Sequence, residues 1–235
     1  MDRIGMILDF LGRLRENNCK EWFDAHRGEY KQVRKLYEGF IEELLAEISL
    51  IDPTIAPLMV KDCTYRINRD VRFSLDKSPY KTHLGAYIVQ GGKKSGYAGY
   101  YLHLEPECDD SSSYLSQQGS MLIAGIYAPE KMVLKSIREE ILDNGAEMQT
   151  NINNAKDYAL GIDSDCLKRT PRGYPTDTPH DHLLRLKHIH IDYKLTNEYL
   201  SSNNLATKIA NDLRPTLPLI EQLNRAVKYA YEEML

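Results

Sequence analysis

CTYRINRDVRFSLDKSPYKTHLGAYIVQGGKKSGYAGYYLHLE, residues 63–105, decides how the rest of the chain is read. Within it HLGAYIV (83–89) and YAGYYLHL (97–104) are rich in aromatic and β-branched residues and predict two strands. The segment Gln90-Gly91-Gly92-Lys93-Lys94-Ser95-Gly96 between them supplies the glycines of a tight reversal, so the two strands are predicted to form an antiparallel hairpin. Residues 63–67 predict a further strand, as do 120–127 and 187–195. The same stretch gathers positive charge. From Lys61 to Lys94 eight Lys or Arg stand against three Asp or Glu, while the remainder of the chain holds 22 basic and 31 acidic residues. A protein of net charge −4 that concentrates cations in one segment presents that segment to an anion.

Helical spacing flanks the strands. Ile4, Ile7, Leu8, Leu11 and Leu14 form one apolar stripe that stops near Asn17 and Asn18. Asn18 with Glu21 three residues on has the spacing of a capping box, predicting a second helix that breaks near Arg27 and Gly28 and continues to Ile48 before Asp52-Pro53. Pro129 opens a helix to about Leu142 that Gly145 ends, and a polar helix follows over 146–160. A short helix starts at Pro179. The C-terminal stripes over 204–214 and 218–233 are separated by Pro215 and Pro218. Strands clustered in the middle without regular strand and helix alternation indicate an α+β fold: a central antiparallel sheet with N- and C-terminal helices packed mainly on one face.

At 235 residues, with no linker-like or low-complexity run and no internal repeat, the chain reads as a single domain over 1–235. Cys19, Cys63, Cys108 and Cys166 are dispersed and form no CxxC pair, so four free thiols in a reducing cytoplasm are expected. The first residues alternate apolar and charged positions, unlike a signal peptide, and no run of about 18 apolar residues exists to span a membrane. No cofactor fingerprint is present, and the oligomeric state is not encoded legibly.

YRINRDVRFSLDKSPYKTHLGA resembles the signature of a mainly bacterial family known as domain of unknown function 2461. The resemblance extends through NNCKEWFDAHRGEY, GGKKSGYAGYYLHLEP, the Gly-x-Tyr-x-Pro step from Gly125 to Pro129, IREEI, LKRTPRGY and LLRLK, and so covers nearly the whole chain. It implies a bacterial cytosolic module and carries over no activity.

Arg66, Arg69, Arg72, Lys77 and Lys81 are the leading ligand-binding candidates, because guanidinium forks hold phosphate or carboxylate bidentately and lysines add point charge. The alternative is a solvated salt-bridge lattice with Asp62, Asp70 and Asp76. Tyr65, Phe73, Tyr80 and Tyr100 are placed to flank a ring or base of the ligand. Lys168, Arg169 and Arg172 of LKRTPRGY are expected to converge on the same site. For chemistry, the candidate proton carriers are His83 and Asp70. A serine nucleophile within SLDKSPYK lacks a visible base and oxyanion site. His188, His190 and Asp192 would share one strand face and are the lesser candidates for a metal; without a fourth ligand the reading is no metal. The functional expectation is a binding module for a small anionic ligand. Alternatives are an enzyme acting on a phosphorylated or carboxylate substrate, and a structural or interaction module. Nucleic acid is not favoured at a pI of about 6.0.

Overall fold

The computed structural model describes residues 2–107, 119–161 and 166–233; Cys108 lies outside them. The helices are α1 (Arg3–Glu16), α2 (Lys20–Ala25), α3 (Arg27–Ser49), α4 (Val60–Cys63), α5 (Lys131–Asn154), α6 (Asp181–Leu184), α7 (Asn197–Leu200), α8 (Leu205–Leu213) and α9 (Leu217–Glu232). The strands are β1 (Leu84–Ile88), β2 (Gly99–Leu104), β3 (Met121–Ile126), β4 (Ala159–Leu160) and β5 (Ile189–Lys194). They form an antiparallel sheet in the order β1-β2-β3-β5-β4, and the fold is α+β. β1 and β2 are neighbours, as the glycine-bearing turn between them predicts. Among the described residues no helix is long and apolar enough to cross a membrane. The chain divides into two compact units, one of Met1–Ile88, Tyr101–Leu122 and Lys194–Ala210, the other of Val89–Tyr100, Ile123–Tyr193 and Asn211–Leu235.

In the first unit α1 packs on α3. α1 buries Ile4, Ile7, Phe10, Leu11 and Leu14, and α3 buries Val33, Tyr37, Phe40, Ile41, Leu44, Leu45 and Ile48. Both sets recur at three and four, which places them on one face of each helix. Arg3 clamps the pair by donating from both terminal nitrogens to the Glu43 carboxylate, each bond 2.7 Å long. The predicted break before α3 falls at His26, whose ring stacks on Trp22 with centroids 3.9 Å apart.

Two expectations for this unit change. Asn18 does not cap α2; its side chain accepts from Tyr80 N at 3.1 Å and donates to Tyr80 O at 2.9 Å, so a long-range backbone pairing takes the amide the capping box would have used. Residues 63–67 are not a strand. Asp62 accepts from Met59 N at 2.9 Å and closes the short helix α4, after which the chain makes only isolated bridges, Thr64 to Ala86 and Asn68 to Tyr80.

In the second unit α5 packs on α9. Asn151 Nδ2 donates to Gln222 Oε1 at 2.9 Å, and Ser136 Oγ donates to Ala226 O at 2.7 Å. Gly145 does not end α5. The helix bends at Asn144, with φ −130° and ψ 28°, and continues to Asn154 because Ile141, Gly145, Met148 and Ile152 prolong the buried face. A Cβ at Gly145 would lie 2.5 Å from the His180 ring, so the glycine serves a close approach and not a helix stop. The predicted helix over 146–160 therefore merges into α5, and its tail instead pairs as β4 with β5, Ala159 facing Asp192.

Candidate functional site

β2 has the period of two that a strand imposes. Tyr100, Leu102 and Leu104 are buried on one side, Tyr101 and His103 alternate with them, and Glu105 follows in the same phase. His103 and Glu105 are 1% and 3% exposed, polar groups held in the interior. They are satisfied by one another. His103 Nε2–H donates to Glu105 Oε2 at 2.9 Å, and the Thr82 hydroxyl donates to Glu105 Oε1 at 2.7 Å. The tautomer this bond selects leaves Nδ1 as an acceptor, and the Tyr101 hydroxyl lies 3.3 Å from it. Ser120 fixes the backbone of Glu105, accepting from its N–H and donating to its C=O, both at 3.0 Å.

His83 completes the cluster from the residue before β1. Its ring centroid is 4.5 Å from that of His103, at 33°, and the ring keeps partial exposure. Gly85 makes room for Tyr101: a Cβ there would stand 2.2 Å from the phenolic oxygen. His83, Tyr101 and Gly85 border a pocket of about 190 Å³ together with Tyr65, Arg66 and Lys81. A larger groove of about 1240 Å³ along α3 shares Tyr65 and Arg66 with it. Arg34 steadies this rim by donating to Tyr65 O at 2.8 Å and to Thr64 Oγ1 at 3.0 Å.

Burial dominates the electrostatics. It pushes the His83 pKa well below the usual imidazole range, and neighbouring His103, Lys81 and Arg69 push the same way while Glu105 opposes them. Burial raises the Glu105 carboxyl, but hydrogen bonds from His103 and Thr82 outweigh it and the net shift is downward. The Tyr101 phenol is raised by burial, so it stays a donor. Lys81 is lowered, first by burial and then by Arg66. The cluster is thus an ionised carboxylate, neutral His83 and a protonated phenol beside two cations.

The cations of the 66–81 run separate into two groups. Arg69 pairs with Asp76 and donates to Ser78 O at 3.2 Å and Ser74 Oγ at 3.3 Å. Arg72 pairs with Asp70 at 2.6 Å, and Lys77 donates to Val71 O at 2.9 Å. These three tie the loop to itself, in the manner of the lattice reading, although Asp62 takes no part in it. Arg66 and Lys81 line the pocket, and among the described residues neither has a carboxylate within salt-bridge distance. Lys81 Nζ instead sits 5.2 Å from the Tyr65 ring centroid. Phe73 is 97% exposed at the loop tip.

Other predicted residues are not among those that line this pocket. Tyr80 is buried, stacks on Phe23 at 4.0 Å and with it borders the larger groove, whereas Tyr100 is 1% exposed and packs in the interior. Lys168, Arg169 and Arg172 are exposed and belong to the second unit, whereas the pocket and cluster are built by the first unit alone. His188 accepts from Ala128 N at 2.8 Å through Nδ1 and stacks on Tyr127 at 4.1 Å. His190 is buried, with Nδ1 3.8 Å from Asp192 Oδ1. Sequence reasoning singled out His83 but passed over Tyr101, His103 and Glu105. Their signal was the Y-L-H-L-E run, which puts three polar groups in one strand phase.

A family model described as conserved hypothetical protein (DUF2461) matches residues 6–221 of the chain. The chain belongs to this family. The DUF2461 match encloses every residue of the pocket and of the histidine and carboxylate cluster beneath it. No curated protein and no solved structure matches the chain. DUF2461 membership assigns no reaction, so the site's chemistry has to be argued from its own groups.

Proposed function

We propose that this DUF2461 protein binds a small phosphate- or carboxylate-bearing ligand, whose anionic group enters the pocket between Arg66 and Lys81. One observation carries the reading: both cations border the same concavity with, among the described residues, no carboxylate within salt-bridge distance, and burial, then Arg66, disfavours the charge on Lys81. An anion between them relieves that repulsion and gains charge-assisted hydrogen bonds. The pocket, at about 190 Å³, is below the usual volume of a site for a drug-sized molecule and suits a single anionic group. The groove along α3, which shares Arg66 and Tyr65, is open to the remainder of the ligand.

Thermal melting with inorganic phosphate, citrate and a sugar-phosphate panel tests this. A ligand at a hundred times its dissociation constant stabilises by about 2.7 kcal/mol, a rise of several degrees that Arg66→Met and Lys81→Met should both abolish. Without ligand Lys81→Met is expected to melt at the wild-type temperature or above, because a half-buried, repelled charge is removed. If no anion shifts the wild type, or if the variants respond equally, the pocket is not an anion site.

The second reading, an enzyme acting on the bound anion, draws on the chain of bonds from Tyr101 through His103 to Glu105 beside the pocket. Such a chain can hold and pass a proton. Turnover of a phosphomonoester or carboxylate ester panel, lost in Glu105→Gln while phosphate binding survives, would favour it; absence of turnover leaves a binding module.

A further inference from the structure

We propose that His83, His103 and Glu105 form a site for one divalent first-row transition metal ion of the zinc, iron(II) or manganese(II) kind. Among the described residues they are the one group of three His, Cys, Asp or Glu whose donor atoms converge, all within 4.8 Å of one another. Two imidazoles and one carboxylate suit these ions, whereas calcium and magnesium favour shells of oxygen alone. Ligand bonds of about 2.0–2.1 Å put neighbouring donors roughly 2.9–3.4 Å apart. His103 Nε2 and Glu105 Oε2 already stand at 2.9 Å.

The groups around the cluster are placed as supports for ligands. Tyr101 lies at His103 Nδ1, Thr82 holds the second Glu105 oxygen, and Ser120 grips the Glu105 backbone. Outer partners of this type orient a ligating imidazole and carboxylate. On metal binding His103 takes its other tautomer, freeing Nε2 for the ion while Nδ1–H donates to the Tyr101 oxygen. A purely structural network accounts for His103 and Glu105, but not for His83. Among the described residues no hydrogen bond involves a His83 ring nitrogen, its ring borders the pocket, and its donor atom already lies within 4.8 Å of those of the other two ligands. Three protein ligands leave coordination positions open on an ion, and His83 sets the ion at the pocket floor.

The inference is independent of the anion reading, and its test uses metal alone. Chelator-stripped full-length protein is titrated calorimetrically with zinc, manganese(II) and, without oxygen, iron(II), in a phosphate-free buffer. At least one ion should bind with one-to-one stoichiometry at about micromolar affinity or tighter. His83→Ala and Glu105→Gln should weaken it at least tenfold, and Tyr101→Phe by about 10–100-fold through loss of the outer hydrogen bond. Circular dichroism confirms that each variant is folded. Should the buried Glu105 variant fail to fold, His83→Ala, at a partly exposed position, carries the test. No saturable binding to the wild type, or binding undiminished in His83→Ala, overturns the proposal. Either result leaves phosphate-dependent melting free to succeed or fail by itself.

Discussion

Asp76 shows what the loop cations do one residue at a time. Its carboxylate accepts from the Ser78 hydroxyl at 2.6 Å and the Ser78 N–H at 2.8 Å, and pairs with Arg69. Those bonds, Ser78 foremost, hold its pKa at about 2 against an ordinary 3.8. A carboxyl depressed by folding adds stability that is complete above 3.8 and disappears as pH falls through about 2. Wild type should therefore lose stability faster than Asp76→Asn between those limits, read as urea midpoints; parallel curves would show that the bonds are absent in solution. At neutral pH Arg69→Met should cost about 1 kcal/mol, since it strips Asp76 and Ser78 of a partner in an exposed loop. Lys81→Met should cost nothing. The different outcomes for two cations twelve residues apart follow from whether each has a carboxylate to hold.

The long helix α5 shows propensity and packing in conflict. In a free helix Gly145→Ala would gain about 1 kcal/mol. Here the new Cβ would meet His180 Cδ2 at 2.5 Å and Cγ at 2.7 Å, and overpacking of that kind costs about 1–3 kcal/mol. The clash wins, so Gly145→Ala is expected to destabilise. Placing it on a His180→Ala background should reverse the sign and recover the propensity gain. A double-mutant cycle by chemical denaturation reads this directly; Gly145→Ala stabilising in both backgrounds would mean that the ring moves aside at no cost.

The charge distribution belongs to the whole molecule. Net charge is −4, yet the run from Lys61 to Lys94 is positive, so this segment attracts a free anion against the sign of the chain as a whole. Arg66 is exposed and open to screening. Phosphate-dependent stabilisation should accordingly shrink several-fold between about 0.05 M and 0.5 M sodium chloride, where the screening length falls below 10 Å. Metal binding to buried His103 and Glu105 should change far less over the same range. Salt dependence that is equal for both ligands would contradict their separation into a solvent-facing and an interior site.

The sequence by itself determined the class and most elements: period-two runs gave β1, β2, β3 and β5, and three-and-four stripes gave α1, α3 and α9. These patterns are legible because each records one buried face, a property local to its element. It also drew attention to the 63–105 segment and to His83 within it. The tertiary structure alone decided which cations find carboxylates, that Asn18 pairs with Tyr80 sixty-two residues away and caps nothing, and that Gly145 makes room for His180. It alone brought Thr82 and His83 against His103 and Glu105. Charge partners, close approaches and converging ligands depend on distances between residues far apart in the chain. Periodicity carries no record of those distances.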